Sequence, residues 1–146
     1  MKSPNNLDFL RSNFNSYSSR DAIIWNDNKY SYQYLLDRIE FWELKLNDIK
    51  EGSIVGIESD FSPETVSILL ALIYKNTILV PLDKFQSSKN IKKYEIAQID
   101  FLIKVNSEVN IEIINIERTA DKNLLYSSLL EGTVPGIVLF TSGSSG

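Results

Sequence analysis

The fold is decided by a stretch that reads Ile54-Val-Gly-Ile57, then Ser62-Pro-Glu64 ahead of an almost wholly apolar segment, and then Thr77-Ile-Leu-Val80. The first and last pieces are short apolar runs rich in β-branched residues, which favour β-strands. Between them, the serine suits a helix N-cap, the proline suits the first helical position, and the glutamate suits the positive end of the helix dipole. The stretch therefore predicts a β-α-β unit, and we expect Pro81 to end its second strand.

A second unit follows the first. We expect Ser87 or Ser88 to open a helix that runs through Tyr94 to Ile99, and residues 101–105 to form another apolar strand. Two helical crossovers between apolar strands favour a mostly parallel sheet with helices on both faces, because only that arrangement buries strands that lack a polar face. The predicted fold class is α/β, and the length of 146 residues indicates one domain.

Weaker local signals fill in the rest of the chain. Ser31 is expected to cap a helix, because Leu35, Ile39, Trp42 and Leu46 form one apolar stripe at helical spacing. The remaining expected elements are a helix over 6–17, strands over 22–25 and 29–31, a strand over 111–116, a helix over 124–130 and a strand over 136–140.

The composition excludes several classes of function. The chain has no histidine and no cysteine, which removes thiolate nucleophiles, disulfides, zinc clusters and the imidazole base of acyl-transfer triads. It carries a net charge of −4 and no run of Lys or Arg, so nucleic acid is not an expected partner. No apolar stretch reaches the ~20 residues of a spanning helix, and the N-terminus has no secretory segment. We therefore expect a cytoplasmic protein without a membrane span.

The stretch most relevant to chemistry follows the strand expected at 136–140. It reads Thr141-Ser142-Gly143-Ser144-Ser145-Gly146. Glycines let backbone N–H groups converge on one point, and the hydroxyls add donors for anionic oxygens or Mg²⁺, so these six residues suit phosphate binding. They fit neither the Walker pattern nor a nucleophile elbow. On composition alone, a flexible tail or linker is the alternative.

Three ordered segments resemble the adenylate-forming superfamily, which includes acyl-CoA synthetases and the adenylation domains of peptide synthetases. Residues 30–35 (Tyr-Ser-Tyr-Gln-Tyr-Leu) are similar to its early Leu-Thr-Tyr-x-Glu-Leu segment, and residues 72–83 are similar to its Leu-Lys-Ala-Gly-x-x-Tyr-Val-Pro-Leu-Asp segment. Residues 139–146 resemble its phosphate-binding loop, Tyr-Thr-Ser-Gly-Ser/Thr-Thr/Ser-Gly. Asn76 stands where the family usually has glycine, and asparagine tolerates the left-handed backbone that this turn requires.

The resemblance implies that residues 1–146 are the N-terminal portion of a large AMP-binding domain. Such an enzyme is a ligase that uses ATP and Mg²⁺ to convert a small-molecule carboxylate into an acyl-adenylate, and then passes the acyl group to CoA or to a phosphopantetheine carrier. Thr141, Ser142, Ser144 and Ser145, with the two glycines, would hold the β- and γ-phosphates, while no catalytic residue and no metal ligand is assigned. Because the family's Pro-Lys-Gly continuation, ribose-binding aspartate and C-terminal lysine are not among these residues, we expect 1–146 alone to be inactive.

The sequence leaves other interpretations open. The chain is alternatively a non-catalytic α/β binding or scaffolding module with a Ser/Gly tail, or a naturally split homologue that acts with a partner chain. The acid to be activated (fatty, aryl or amino acid) and the oligomeric state are also open, with a slight preference for an acyl-CoA or aryl-CoA synthetase, as in fatty acid metabolism. Asp60 with Glu64, and Asp83 with Lys84, are expected to be solvated turn charges or caps, and most aromatic residues are expected in the core. The expected position of Lys89, Lys92 and Lys93 is ordinary helix surface.

Overall fold

The computed structural model describes residues 8–117, 121–132 and 134–141, without the side chain of Ser87. Its five helices are α1 (Asp8–Ser16), α2 (Tyr32–Lys45), α3 (Pro63–Tyr74), α4 (Ser87–Ile96) and α5 (Ser127–Gly132). Its seven strands are β1 (Asp21–Trp25), β2 (Asn28–Ser31), β3 (Ile54–Ser59), β4 (Ile78–Asp83), β5 (Phe101–Ser107), β6 (Asn110–Asn115) and β7 (Gly136–Ile137). Short 3-10 turns precede α4 and α5, at Lys84–Gln86 and Leu124–Tyr126.

The main sheet has five strands in the order β6-β5-β3-β4-β7. Strands β5, β3, β4 and β7 run parallel, and only β6 at one edge is antiparallel. Strands β1 and β2 form a separate antiparallel hairpin. The mostly parallel sheet predicted from the two helical crossovers is confirmed.

The sheet is covered on both faces, and alternate residues of each strand face opposite sides. Val55, Ile57 and Ile103 pack with α2 and α3 in one cluster of buried residues. Ile54, Val80 and Leu102 face the other side and pack with residues of α4 and α5 and their flanking turns. Because both faces are buried, the strands need the nearly continuous apolar runs that the sequence shows.

Two predicted helix starts are confirmed in atomic detail. The Ser31 hydroxyl accepts a hydrogen bond from the Tyr34 N–H at 3.1 Å, and the Ser62 hydroxyl accepts one from the Thr65 N–H at 3.3 Å. Pro63 occupies the first turn of α3 as expected. Asn76 adopts a φ of 54°, the left-handed backbone that asparagine is expected to tolerate at this turn.

Several predicted boundaries are wrong. Strand β4 continues through Pro81 to Asp83, in parallel register with β3. The backbone oxygens of Thr77 and Leu79 accept hydrogen bonds from Gly136 and Val138. The backbone polar groups of odd-numbered β4 residues therefore point toward β7, and those of even-numbered residues point toward β3. Pro81 has no N–H, so its missing donor affects the pairing with β7 and leaves the pairing with β3 intact. The same missing donor accounts for the shortness of β7, which has two residues where the sequence predicts a strand over 136–140.

The helix expected to reach Ile99 stops earlier, and the aromatic residues are less buried than expected. Helix α4 ends at Ile96, and Gln98 turns the chain with a φ of 52°. Ile99 therefore lies in a turn, and it packs in the buried cluster on the α4 and α5 face of the sheet. Phenylalanines at four positions are exposed, namely Phe9, Phe41, Phe61 and Phe85. The periodicity places a residue on a face, but it does not say whether another element covers that face.

Across the described ranges, the structure contains no helix with both the length and the apolar character needed to cross a membrane.

Candidate functional site

The four parallel strands end at a common edge of the sheet, and the predicted phosphate loop starts there. Strand β7 lies beside β4, and the chain continues past it to Thr141, which is exposed at the end of the described part. The other five predicted site residues, Ser142, Gly143, Ser144, Ser145 and Gly146, lie outside the described residues. In open α/β sheets, ligands bind in the crevice outside the carboxyl ends of the strands, and Thr141 is on that side.

An ion pair joins the carboxyl ends of the two central strands. Lys84, just after β4, pairs with Asp60, just after β3. Burial opposes ionisation of Asp60, but the hydrogen bond and charge of Lys84 outweigh it and lower the pKa of that carboxyl. Asp83 accepts a hydrogen bond from the Phe85 N–H at 2.9 Å, as a turn residue does. Asp83 is therefore a cap as predicted. Asp60 is also a cap, because it accepts a hydrogen bond from the Ser62 N–H at 3.3 Å, and in addition it pairs with Lys84 across the edge.

A polar cleft of about 220 Å³ opens at the same edge, between the ends of β3 and β5. In the sheet, β4 lies on one side of β3 and β5 lies on the other, so the chain reverses its direction across the sheet after β4. The cleft lies between β3 and β5, at the point where the strand order reverses. The cleft is lined by Trp25, Asn26, Asp60, Ser62, Val105, Asn106, Ser107 and Glu108. Sequence reasoning missed it, because its walls come from three separate turns that no motif connects.

Glu64 is the largest correction to the sequence analysis. Its side chain is only 2% exposed and is not a solvated charge. The carboxylate accepts hydrogen bonds from Arg38 Nε at 3.0 Å, from Trp42 Nε1 at 2.7 Å and from the Tyr34 hydroxyl at 3.3 Å, and Arg38 Nη2 also pairs with it. The three donors lie at i, i+4 and i+8 of α2, so a helical spacing of Tyr, Arg and Trp is the signal that was available in the sequence. This cluster binds α2 to the start of α3.

A second buried carboxylate lies on the opposite face of the sheet. Glu58, in β3, is 4% exposed and accepts hydrogen bonds from the Tyr94 hydroxyl and from Asn90 Nδ2, the latter at 3.1 Å. Asn90 Nδ2 also donates to the Asp83 carbonyl at 2.9 Å, so α4 is bound to the ends of both β3 and β4. Both buried carboxylates thus hold helices in place beneath the carboxyl edge.

The surroundings of the Tyr34 and Tyr94 phenols raise the pKa of both groups above the ordinary value near 10. Burial, followed by the negative charge of Glu64, raises the pKa of Tyr34 to about 12. Burial and the hydrogen bond to Glu58 raise the pKa of Tyr94 as well. A phenol whose pKa is raised on folding adds stability that is complete below its unfolded value near 10 and is lost as the pH rises through the folded value.

The expected result is a tyrosine titration with a separate late component. Absorbance at 295 nm should show ionisation continuing to about pH 12, and Tyr34→Phe should remove part of the component near pH 12 while leaving the component near pH 10. Circular dichroism over the same range should show loss of structure beginning above about pH 10. Tyr17→Phe is the control at an exposed position, and a Tyr34→Phe curve that matches wild type above pH 11 would contradict the assignment.

No group of three or more acidic side chains within the described ranges is arranged to hold a metal ion.

Comparisons with known proteins agree with this architecture. No protein-family model matches the sequence, and no curated protein matches it. Among solved structures, the Klebsiella oxytoca NpsA N-terminal subdomain in complex with 3-hydroxyanthranilyl-AMSN is similar with a TM-score of 0.69 and 22% identity, over 97% of this chain and 39% of that one. An artificially fused NpsA-ThdA adenylation-PCP di-domain from the same organism gives 0.68 and 21%, over 92% and 28%. The O-succinylbenzoate coenzyme A synthetase MenE from Bacillus subtilis gives 0.59 and 18%, over 71% and 23%.

The chain thus spans well under half of the length of these structures. At identities of 18–22% the likeness concerns the fold. It covers 97% of this chain in the NpsA subdomain. The α/β architecture of this chain is therefore the fold of the N-terminal subdomain of adenylation domains.

Proposed function

We propose that this chain is the N-terminal portion of an adenylate-forming ligase, an enzyme that activates a carboxylate with ATP. The observation that carries the proposal is the fold, together with the position of Thr141, the first residue of the Ser/Gly stretch. The stretch begins at Thr141, on the carboxyl edge of a sheet whose fold matches the NpsA subdomain over 97% of the chain. NpsA structures contain acyl-adenylate analogues such as anthranilyl-AMSN, which supports the same chemistry here.

The loop's role in this proposal is to position phosphates. The hydroxyls of Thr141, Ser142, Ser144 and Ser145 and the loop N–H groups would donate to the β- and γ-phosphates, while ATP supplies the electrophilic α-phosphorus that the carboxylate attacks. Pyrophosphate leaves as the acyl-adenylate forms. Donors fixed before the reaction stabilise the charge that moves onto the leaving group, and the substrate carboxylate needs no base because it is already ionised at neutral pH.

The finer assignments belong to the same proposal. The acyl group would pass to a thiol of CoA or of a phosphopantetheine carrier, Mg²⁺ would accompany the nucleotide, and the location would be the cytoplasm. Aryl acids are the first substrates to test, because the NpsA ligands are anthranilyl and hydroxybenzoyl compounds. Three loop donors contribute roughly 5–9 kcal/mol against an association cost of about 4–15 kcal/mol, so residues 1–146 alone would bind ATP in the millimolar range or weaker and would not turn over.

Loop variants of the complete gene product test the proposal. Thr141→Ala and Ser144→Ala are expected to lower kcat/KM for carboxylate-dependent ATP–pyrophosphate exchange by roughly 10–100-fold each, since removing one donor to developing charge has effects of that order or larger. Ser12→Ala, an exposed serine on α1, is the matched control and should leave the exchange unchanged.

Two outcomes would overturn the proposal. One is the absence of carboxylate-dependent exchange with aryl, fatty and amino acids, which would favour the non-catalytic α/β module. The other is exchange that is insensitive to both loop variants. The native gene offers a simpler check, because the proposal requires x-Pro-Lys-Gly directly after Gly146.

A further inference from the structure

A second cleft lies between α2 and the β5–β6 hairpin, next to the polar cleft, with which it shares Glu108. It encloses about 300 Å³, which is the lower end of the range for small-molecule pockets. Its apolar lining consists of Phe41, Trp42, Val109, Ile111 and Ile113. Trp42 is buried, whereas Phe41 and Ile113 are 38% and 43% exposed, so the cleft has a fixed floor and accessible walls.

Both signs of charge border this apolar floor. Arg38 lies over the Phe41 ring with Cζ 4.2 Å from the ring centroid, and Lys45 Nζ lies 5.7 Å from the same centroid. The bonds from Arg38 to Glu64 use Nε and Nη2, so its Nη1 is the guanidinium nitrogen that the Glu64 cluster does not use. Glu108, on the turn between β5 and β6, supplies the carboxylate of the lining. Its negative charge is close enough to act on Arg38.

We propose that this cleft binds a free apolar α-amino acid as its zwitterion. The ligand's carboxylate lies toward Lys45 and Arg38, its ammonium lies toward Glu108, and its side chain lies on Phe41 and Ile113. An apolar carboxylate without an ammonium group would place a charge of the same sign near Glu108 with no cation of its own to offset it. An apolar amine would likewise place its charge near Lys45 and Arg38 with no carboxylate to offset it. A residue inside a peptide has neither charge, so the free amino acid is the class that satisfies both ends.

The cleft shares Glu108 with the polar cleft at the carboxyl edge, but its other lining residues are different from those of the polar cleft and lie far along the chain from the Ser/Gly stretch. The lining comes from α2, β6 and the turn that precedes it, whereas the Ser/Gly stretch begins beyond β7, at the opposite end of the strand order. The inference therefore does not depend on the proposed function, and either can fail without the other.

The test compares three probes that share one ring and differ in charge. L-phenylalanine, 3-phenylpropionate and phenethylamine are titrated into the ¹⁵N-labelled chain, and amide shifts of α2 and of the β5–β6 hairpin are followed. With a ligand this small at a half-open site, the expected Kd for L-phenylalanine is in the millimolar range. Each of the other two probes should bind about three- to fivefold more weakly, as expected for loss of one exposed charge pair.

Single-charge variants then assign the two ends. Glu108→Gln should abolish the preference for L-phenylalanine over 3-phenylpropionate and keep its preference over phenethylamine, whereas Lys45→Gln should do the reverse. Glu40→Gln and Lys50→Gln, two exposed positions outside the lining, are matched controls and should keep both preferences. Equal affinity of the wild type for all three probes would overturn the proposal. The same conclusion would follow from shifts confined to other parts of the sheet, or from no shift at 20 mM.

Discussion

Glu64→Ala is expected to lower the free energy of unfolding by about 3–5 kcal/mol, the usual cost of removing one partner from a buried ion pair. The side chain is 2% exposed and accepts hydrogen bonds from Arg38, Trp42 and Tyr34. Its removal leaves a guanidinium, an indole N–H and a phenol without their acceptor. Because single domains are stable by only about 5–15 kcal/mol, this is a large share of the total. Urea denaturation followed by circular dichroism measures the effect.

Two further variants make the result interpretable if Glu64→Ala is too unstable to purify. Glu64→Gln keeps the shape and one acceptor oxygen, and we expect an intermediate loss of stability. Glu43→Gln removes the partner of Arg11 in an ion pair whose side chains are 38% and 29% exposed, and the expected loss is below about 1 kcal/mol. Equal effects of Glu64→Gln and Glu43→Gln would show that burial adds nothing at Glu64, contrary to this account.

Local signals in the sequence were sufficient to predict where α2 and α3 begin and which face of α2 is buried. Ser31 and Ser62 bond to N–H groups three residues ahead, and Leu35, Ile39 and Trp42 recur at helical spacing. These interactions join residues that are close together in the chain, so they can be predicted from the sequence directly. The parallel sheet followed because strands that are apolar throughout must be covered on both faces.

Relations between distant elements were not accessible in the same way. Pro81 was expected to end a strand, but its effect depends on which neighbour its missing N–H would face. Glu64 was assigned to a solvated helix start because its partners lie 22–30 residues earlier in the chain. The polar cleft at the carboxyl edge is built by three turns, two at the ends of strands of the main sheet and one from the separate β1–β2 hairpin, and only the tertiary structure brings them together. The predicted phosphate loop rests on the sequence alone at five of its six residues, and the structure adds the position of Thr141.

Gly52→Ala is expected to lower the free energy of unfolding by about 2–4 kcal/mol, through two effects that act together. Gly52 precedes β3 with a φ of +74°, a conformation that alanine adopts only under strain. A Cβ at this position would lie 2.6 Å from Leu130 Cδ2, so the Leu130 side chain would have to move away from its place against this turn. The backbone cannot easily turn to avoid this, because the Gly52 N–H donates to the Asn76 carbonyl at 3.0 Å and its own carbonyl accepts from Lys122 Nζ at 3.0 Å.

A double-mutant cycle separates the two effects. Leu130→Ala removes the atom that the new Cβ would meet, so Gly52→Ala should be less damaging in that background, and the strain of the positive φ should account for what is left. Gly132→Ala is the control, since a Cβ there lies no closer than 3.5 Å to its neighbours, and its effect should stay within about 0.5 kcal/mol. Additive effects of Gly52→Ala and Leu130→Ala would mean that α5 does not pack against this turn. The coupling energy therefore reports whether α5 holds the start of β3, the strand at the centre of the sheet that carries the candidate site.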